Sequence, residues 1–257
     1  MSVLCWADLL VEDKDRAAGF YAGLVGWEVG DPGAEMGGYS IMVVNNGAAA
    51  GVMPPPPGRD DLPPPCWTAY LNTADIAATT ARAVELGGQI HLPPHQVEGR
   101  GWFAVIADPS GCVVGLWQPD GFEGFGRWNE TGAFAWGEAQ TWDATGTRDF
   151  LCALLGLEWS AMEGPGEIEY YLVNAPGEPP AFGVLGLGAQ VPKDYRGQWK
   201  LYLAVDDADA ARAQVIALGG DAQGEPFDTP FGRITFVTDS EGAALGLIAL
   251  ADTRPTA

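Results

Sequence analysis

The sequence runs through one pattern twice, and this repeat constrains the fold more than any other feature. Trp6, Asp13, Phe20 and Gly26 return as Trp136, Asp143, Phe150 and Gly156, each 130 positions on. Gly51, Trp67, Tyr70 and Leu86-Gly87-Gly88 return 132 positions on as Gly183, Trp199, Tyr202 and Leu218-Gly219-Gly220. Asp108, Gly111 and Gly115 return 131 positions on as Asp239, Gly242 and Gly246. A register that drifts by so little over half a chain marks the duplication and fusion of one ancestral unit. The 257 residues are therefore expected to divide into two halves, 1–120 and 130–252.

Each half contains two shorter cycles, at 1–57 and 66–120, then at 130–188 and 197–252. The first begins with a strand from Trp6 to Val11. Asp13 then caps a helix in which Ala17, Phe20, Tyr21 and Leu24 fall at helical spacing, and Gly26 ends it. Strand-like stretches follow at 27–29, 39–44 and 49–53. The second cycle repeats the plan with a strand at 67–72 and a helix from about Asp75 to Leu86. A Gly-Gly stop and strands near Ile90, at 102–107 and at 113–117 complete it. The predicted order is β-α-β-β-β, four times over. Prolines at 54–57 and 63–65 read as a stiff spacer, the glycine-rich stretch 120–127 as the link between halves, and 252–257 as a disordered tail. Asp108-Pro109-Ser110-Gly111 has the signature of a tight hairpin turn, which gives Asp108 and its counterpart Asp239 a structural role.

An apolar content of 47% suits a packed globular protein. The formal charge of −21, from 34 acids against 13 bases, argues against nucleic acid or an anionic membrane as partner, because phosphate binding needs clustered Lys and Arg. No apolar run approaches the roughly 20 residues that cross a bilayer, and the N-terminus shows no secretory pattern. The four cysteines, Cys5, Cys66, Cys112 and Cys152, form no C-x-x-C pair and read as buried thiols in a cytoplasmic protein.

The motifs carry a resemblance. Phe20-Tyr21 after a capped helix, Gly26-Trp27 at its end, Leu86-Gly87-Gly88 closing the second helix and Asp108-Pro109-Ser110-Gly111 before the last strand are similar to the vicinal oxygen chelate superfamily. That group includes glyoxalase I, extradiol dioxygenases, and fosfomycin and bleomycin resistance proteins. The resemblance implies an α+β fold of four βαβββ modules, forming two fused glyoxalase-like halves whose curled mixed sheets enclose cavities. It also implies where a metal would sit. Relatives that use one hold it through His, Glu or Gln near the start of each module's first strand and on its last strand. Here those positions fall at Trp6, about Thr68, Trp136 and about Lys200, and at Gly51, Gly115, Gly183 and Gly246. Indole and glycine supply no ligand and an ammonium repels the ion, so neither metal nor cofactor is expected. His91 and His95 are separated by Pro93 and Pro94, which forbid the helix a zinc pair would need, and they read as loop residues.

Residues two apart on a strand share a face. Trp6 faces with Asp8, Trp136 with Glu138 and Gln140, Thr68 with Tyr70, Lys200 with Tyr202, and Val113 and Gly115 with Trp117. The expected site is thus an aromatic pocket with one carboxylate per half, formed by Trp6, Asp8, Thr68, Tyr70, Trp117, Trp136, Glu138, Gln140, Lys200 and Tyr202. Such a pocket binds a small aromatic molecule, cationic ones included, by stacking and cation–π contact worth ~0.5–2 kcal/mol each. The competing reading is that the tryptophans only fill the core, as expected for Trp27, Trp67, Trp159 and Trp199. Three functions follow. One is a metal-independent binding protein, for drug resistance by sequestration or as an accessory in natural-product biosynthesis. The second is a metal-independent enzyme, such as an isomerase, a cyclase or a hydroxylase-associated protein, with Asp8 or Glu138 as acid–base group. The third is a residual glyoxalase or dioxygenase with an unusual metal site. A monomer or homodimer is expected.

Overall fold

The computed structural model describes residues 2–30, 38–55, 58, 63–162, 168–189, 191–192 and 194–251. The expected tail at 252–257 and the prolines at 56–57 lie outside these residues. The described residues form four copies of one module. The first is β1 (Leu4–Leu10), α1 (Lys14–Val25), β2 (Glu28–Val29), β3 (Ser40–Val44) and β4 (Gly47–Met53); the second is β5 (Cys66–Asn72), α2 (Ile76–Glu85), β6 (Gln89–Val97), β7 (Gly101–Ala107) and β8 (Val113–Pro119). The third is β9 (Phe134–Thr141), α3 (Ala144–Leu155), β10 (Glu158–Ala161), β11 (Tyr170–Asn174) and β12 (Phe182–Gly186). The fourth is β13 (Gln198–Val205), α4 (Ala208–Ala217), β14 (Asp221–Thr229), β15 (Gly232–Thr238) and β16 (Ala244–Leu250).

Local chemistry sets the helix ends. Asp13, Asp75, Asp143 and Asp207 each accept from backbone N–H groups in the first turn that have no helical partner. Gly26 and Gly156 end α1 and α3 in the left-handed region, at φ +71° and +67°, where a Cβ is disfavoured.

Strand order within the modules is β2-β3-β4-β1, β5-β8-β7-β6, β10-β11-β12-β9 and β13-β16-β15-β14. In every module the first and last strands are parallel and the remaining neighbours antiparallel. The sheets are mixed and do not close into barrels. His91 and His95 lie on β6, not in a loop. That strand is the last of its quartet, and its pairing with β7 shifts between Leu92 and His95, across the two prolines. An end strand with a broken ladder tolerates proline because no central hydrogen bond is lost.

The chain separates into two compact units that cut across the sequence halves. One comprises Met1–Trp6, Thr68–Gly124 and Trp136–Lys200; the other comprises Ala7–Trp67, Phe125–Ala135 and Leu201–Ala257. The first therefore joins the second and third modules, and the second joins the first and fourth. In the first unit the buried Asp108 carboxylate takes hydrogen bonds from its own hairpin, Cys112 N at 2.9 Å and Ser110 Oγ at 2.7 Å, and also from Thr147 of α3. In the second, Asp239 accepts from Glu241 N and Ala243 N, both at 2.9 Å, and from the Tyr21 hydroxyl at 2.9 Å. Each hairpin aspartate thus also ties down a helix of another module. Tyr21 stacks on Trp27 with ring centroids 4.8 Å apart, and its oxygen accepts from Trp67 Nε1 at 3.2 Å.

Trp27, Trp67 and Trp199 are buried, as the sequence suggests. Trp159 is not: it is 45% exposed, with the Arg148 guanidinium 3.9 Å from its ring centroid and Tyr171 edge-on beside it. It covers a cation in place of packing in a core.

Candidate functional site

The strand register places one residue of each first strand opposite a glycine of the last strand. The pairs are Asp8 with Gly51, Tyr70 with Gly115, Glu138 with Gly183 and Tyr202 with Gly246. In the second and fourth modules the tyrosine ring itself lies over the glycine, where a Cβ would collide with it. In the first and third modules a phenol from the middle of the module takes that space: Tyr39 over Gly51, Tyr170 over Gly183. Both phenols then donate to the facing carboxylate, Tyr39 to Asp8 Oδ1 at 2.7 Å and Tyr170 to Glu138 Oε2 at 3.0 Å.

The Glu138 cluster lies wholly within the first unit. Glu138 is 5% exposed; its Oε1 accepts from Gln140 Nε2 at 2.9 Å, while Trp136 Nε1 donates to the Tyr170 oxygen at 2.9 Å. Indole, phenol and carboxylate therefore form one directed chain that ends on Glu138. Burial, then the Glu138 charge, raises the pKa of Tyr170, which keeps its proton. Lys200 is 7% exposed; burial pulls its pKa down and the Glu138 charge pulls it back up. The structure thus gathers Trp136, Glu138 and Gln140 into one polar cluster, with buried Lys200 close enough for its charge and that of Glu138 to act on each other.

In the second unit Asp8 is half-buried beneath Tyr39. Tyr202 is buried with Phe236 beside it at 6.1 Å between ring centroids. In the first unit Thr68 is half-buried on β5 and Tyr70 is buried, its carbonyl accepting from the Cys5 thiol at 3.4 Å. Trp6 and Trp117 are buried, and both contact the ring of Phe122.

Four ring residues of these clusters were not expected: Tyr39, Tyr170, Phe122 and Phe236. The first two had a signal. They stand 131 positions apart, in register with the repeat, and each is followed by an apolar strand.

The family model for the Glyoxalase/Bleomycin resistance protein/Dioxygenase superfamily matches residues 4–116. "Putative glyoxylase CFP32" of Mycobacterium tuberculosis is 34% identical over 253 residues, covering 95% of this chain and 93% of the relative. The chain belongs to this superfamily. "Anthracycline biosynthesis protein DnrV" of Streptomyces peucetius is also 34% identical, over 268 residues, covering 98% of this chain and 94% of that protein. Among solved structures, the Mn(II)-bound glyoxalase from Novosphingobium aromaticivorans matches with a TM-score of 0.66 at 14% identity, covering 97% of this chain and 83% of that one. The 2,2',3-trihydroxybiphenyl 1,2-dioxygenase from Sphingomonas wittichii strain RW1 matches with a TM-score of 0.61 at 14% identity, over 96% and 90%. At that identity the two structures share its fold.

Superfamily membership raises the question of a metal, and the donor set does not fit one. Among the described residues, no three His, Cys, Asp or Glu side chains are grouped to hold an ion. Where a last-strand ligand would begin, at Gly51 and Gly183, the space is filled by phenols that donate to the carboxylates. The Lys200 ammonium beside Glu138 supplies positive charge of its own. A divalent cation needs lone pairs directed at one point, and these groups direct hydrogens at the carboxylates.

Proposed function

We propose that this superfamily member is metal-independent and binds a small planar aromatic molecule, as an accessory in natural-product biosynthesis or in resistance by sequestration. The observation that carries the reading is the pair of phenol–carboxylate clusters, Tyr39 with Asp8 and Tyr170 with Glu138, each built opposite a glycine. Neighbouring Trp and Tyr rings offer apolar faces, while the carboxylates offer fixed acceptors for a hydroxyl or amine on the ligand. The relatives named for anthracycline biosynthesis support an aromatic polyketide as ligand. The balance of 34 acids against 13 bases supports a small molecule over nucleic acid or an anionic membrane. All four cysteines are free thiols, which supports a cytoplasmic setting. Among the described residues no helix is long and apolar enough to cross a membrane.

Two measurements test this reading. Intrinsic tryptophan fluorescence, titrated with a panel of aromatic polyketides that includes an anthracycline, should show saturable binding, weakened by ~1–3 kcal/mol in Trp136→Ala. Elemental analysis of the purified protein should find no stoichiometric manganese, iron, nickel or zinc. A tightly held metal in either unit, or a silent titration with the whole panel, would overturn it.

A second reading is enzymatic and rests on the directed chain from Trp136 through Tyr170 to Glu138. A buried carboxylate beside an ammonium can take a proton from a bound phenol or enol and return it. If Glu138→Gln abolished turnover of a bound polyketide without altering its affinity, this reading would replace the first.

A further inference from the structure

The stretch 120–124, a link between halves in the sequence, carries a side chain into the aromatic cluster of the first unit. Phe122 stands edge-on to Trp6, with ring centroids 4.9 Å apart and planes at 90°, and edge-on to Trp117 at 6.1 Å and 81°. Its carbonyl accepts from Trp117 Nε1 at 2.9 Å, and its N–H donates to the Arg100 carbonyl at 3.1 Å. The Arg100 guanidinium carbon lies 5.9 Å from the Phe122 ring centroid. Gly121 and Gly124, at φ +105° and +107°, let the segment lie directly on the backbone at Gly99 and Cys5, where a Cβ would clash.

The repeat supplies an internal comparison. Trp136, the counterpart of Trp6, is half-buried and spends its N–H on Tyr170, whereas Trp6 is 3% exposed with Phe122 against it. Phe122 is itself only half-buried, so its ring has a route to solvent that the two indoles lack.

We propose that Phe122 is a displaceable plug, an internal stand-in for a planar aromatic ligand that enters between Trp6 and Trp117. The ring it stands in for would keep the edge-on contacts and present an anionic oxygen, a carboxylate or ionised phenol, to Arg100 in place of the present cation–π contact. This deepens the proposed function, on which it rests, by naming the ligand class for the first unit: a fused-ring aromatic acid.

The test uses the full chain and 1-hydroxy-2-naphthoate as probe, with neutral 1-naphthol as control and circular dichroism to confirm folding. Phe122→Ala should bind the probe at least ten-fold more tightly than the parent chain, with Phe122→Leu, which keeps apolar bulk, in between. Adding Arg100→Gln to Phe122→Ala should lose most of the affinity for the naphthoate and little of that for the naphthol. If parent, Leu and Ala chains bind the probe equally, Phe122 is packing and the plug fails while the binding reading stands. If no folded variant binds either probe, the plug fails, and the polyketide panel alone decides the binding reading. Should the Ala chain not fold, the comparison of the Leu chain with the parent decides alone, equal affinities overturning the plug.

Discussion

Tyr170 donates its hydroxyl to Glu138 at 3.0 Å while standing in the space that any side chain at Gly183 would occupy. Tyr39 has the same relation to Asp8 and Gly51. Since Asp8 and Glu138 are 130 positions apart and the tyrosines 131, the duplicated unit carried this arrangement twice. The glycine, phenol and carboxylate act as one device: the missing side chain makes room for a phenol, and the phenol fixes the carboxylate.

Gly183→Ala should therefore cost more than a surface substitution. Its methyl would overlap the Tyr170 phenol, and overpacking of this kind costs about 1–3 kcal/mol. Tyr170→Leu removes the obstructing ring, so the double variant should be more stable than the sum of the two single losses predicts. Urea unfolding of the four chains measures this, and strict additivity would show that Gly183 and Tyr170 do not compete for space.

Glu138→Gln should make stability depend more on alkaline pH. Burial lowers the Lys200 pKa in the folded chain and the Glu138 charge raises it. Losing that charge lowers it further below the unfolded value of about 10.4. Between the two values the unfolded chain holds a proton that the folded chain has released, so stability rises with pH across that window. The variant should lose on the order of 1–3 kcal/mol at pH 7 and recover part of it towards pH 10. Urea midpoints at both pH values check this, and an equal deficit at each would uncouple Lys200 from Glu138.

The repeat, the module order, the Asp13 cap with its counterpart Asp143 and the glycine stops were legible because they are local: spacing, capping and left-handed glycines act within a few residues. The repeat could not say how modules combine, because kinship between Trp6 and Trp136 carries no information on packing. The two compact units accordingly join modules from different halves. The same limit applied to the site. Alternation along β9 placed Trp136, Glu138 and Gln140 on one face, but the reach of Tyr170 from β11 to Gly183 is a contact across strands that no single-strand spacing encodes. Phe122 was hidden by glycine-rich surroundings that read as a plain link. The exposure of Trp159 had no sequence signal, because its cation, Arg148, lies on a separate helix.

Helix stops should be sensitive in proportion to their backbone angle. Gly156 caps α3 at φ +67°, with open space where a Cβ would stand, so steric crowding contributes nothing and only the backbone conformation is tested. Gly156→Ala should cost about 1 kcal/mol, and Gly156→Val more, because a β-branched residue tolerates this region worst. Gly26, at φ +71° and equally uncrowded, should respond alike. Thermal unfolding checks both, and an unchanged Tm would show that α3 ends elsewhere in solution.

Tyr21→Phe tests the tie between α1 and the hairpin of the fourth module. Asp239 is 2% exposed and accepts the Tyr21 hydroxyl at 2.9 Å. Burial raises its pKa, and the backbone donors and Tyr21 pull it down. Removing the hydroxyl takes one donor from a buried carboxylate, a loss of about 1–3 kcal/mol at neutral pH, and lets the Asp239 pKa rise further. A carboxyl with a raised folded pKa binds its proton more tightly in the folded chain. Its contribution is complete below the unfolded value, near 3.9, and is lost as pH rises through the folded one. The variant, with its folded pKa higher still, should therefore lose more stability than the parent as pH rises across that window. Its deficit should be smallest in acid and largest at neutral pH. Urea unfolding from pH 4 to pH 7 measures the difference, and a deficit independent of pH would mean that the hydroxyl acts through the bond it accepts from Trp67 and not through Asp239.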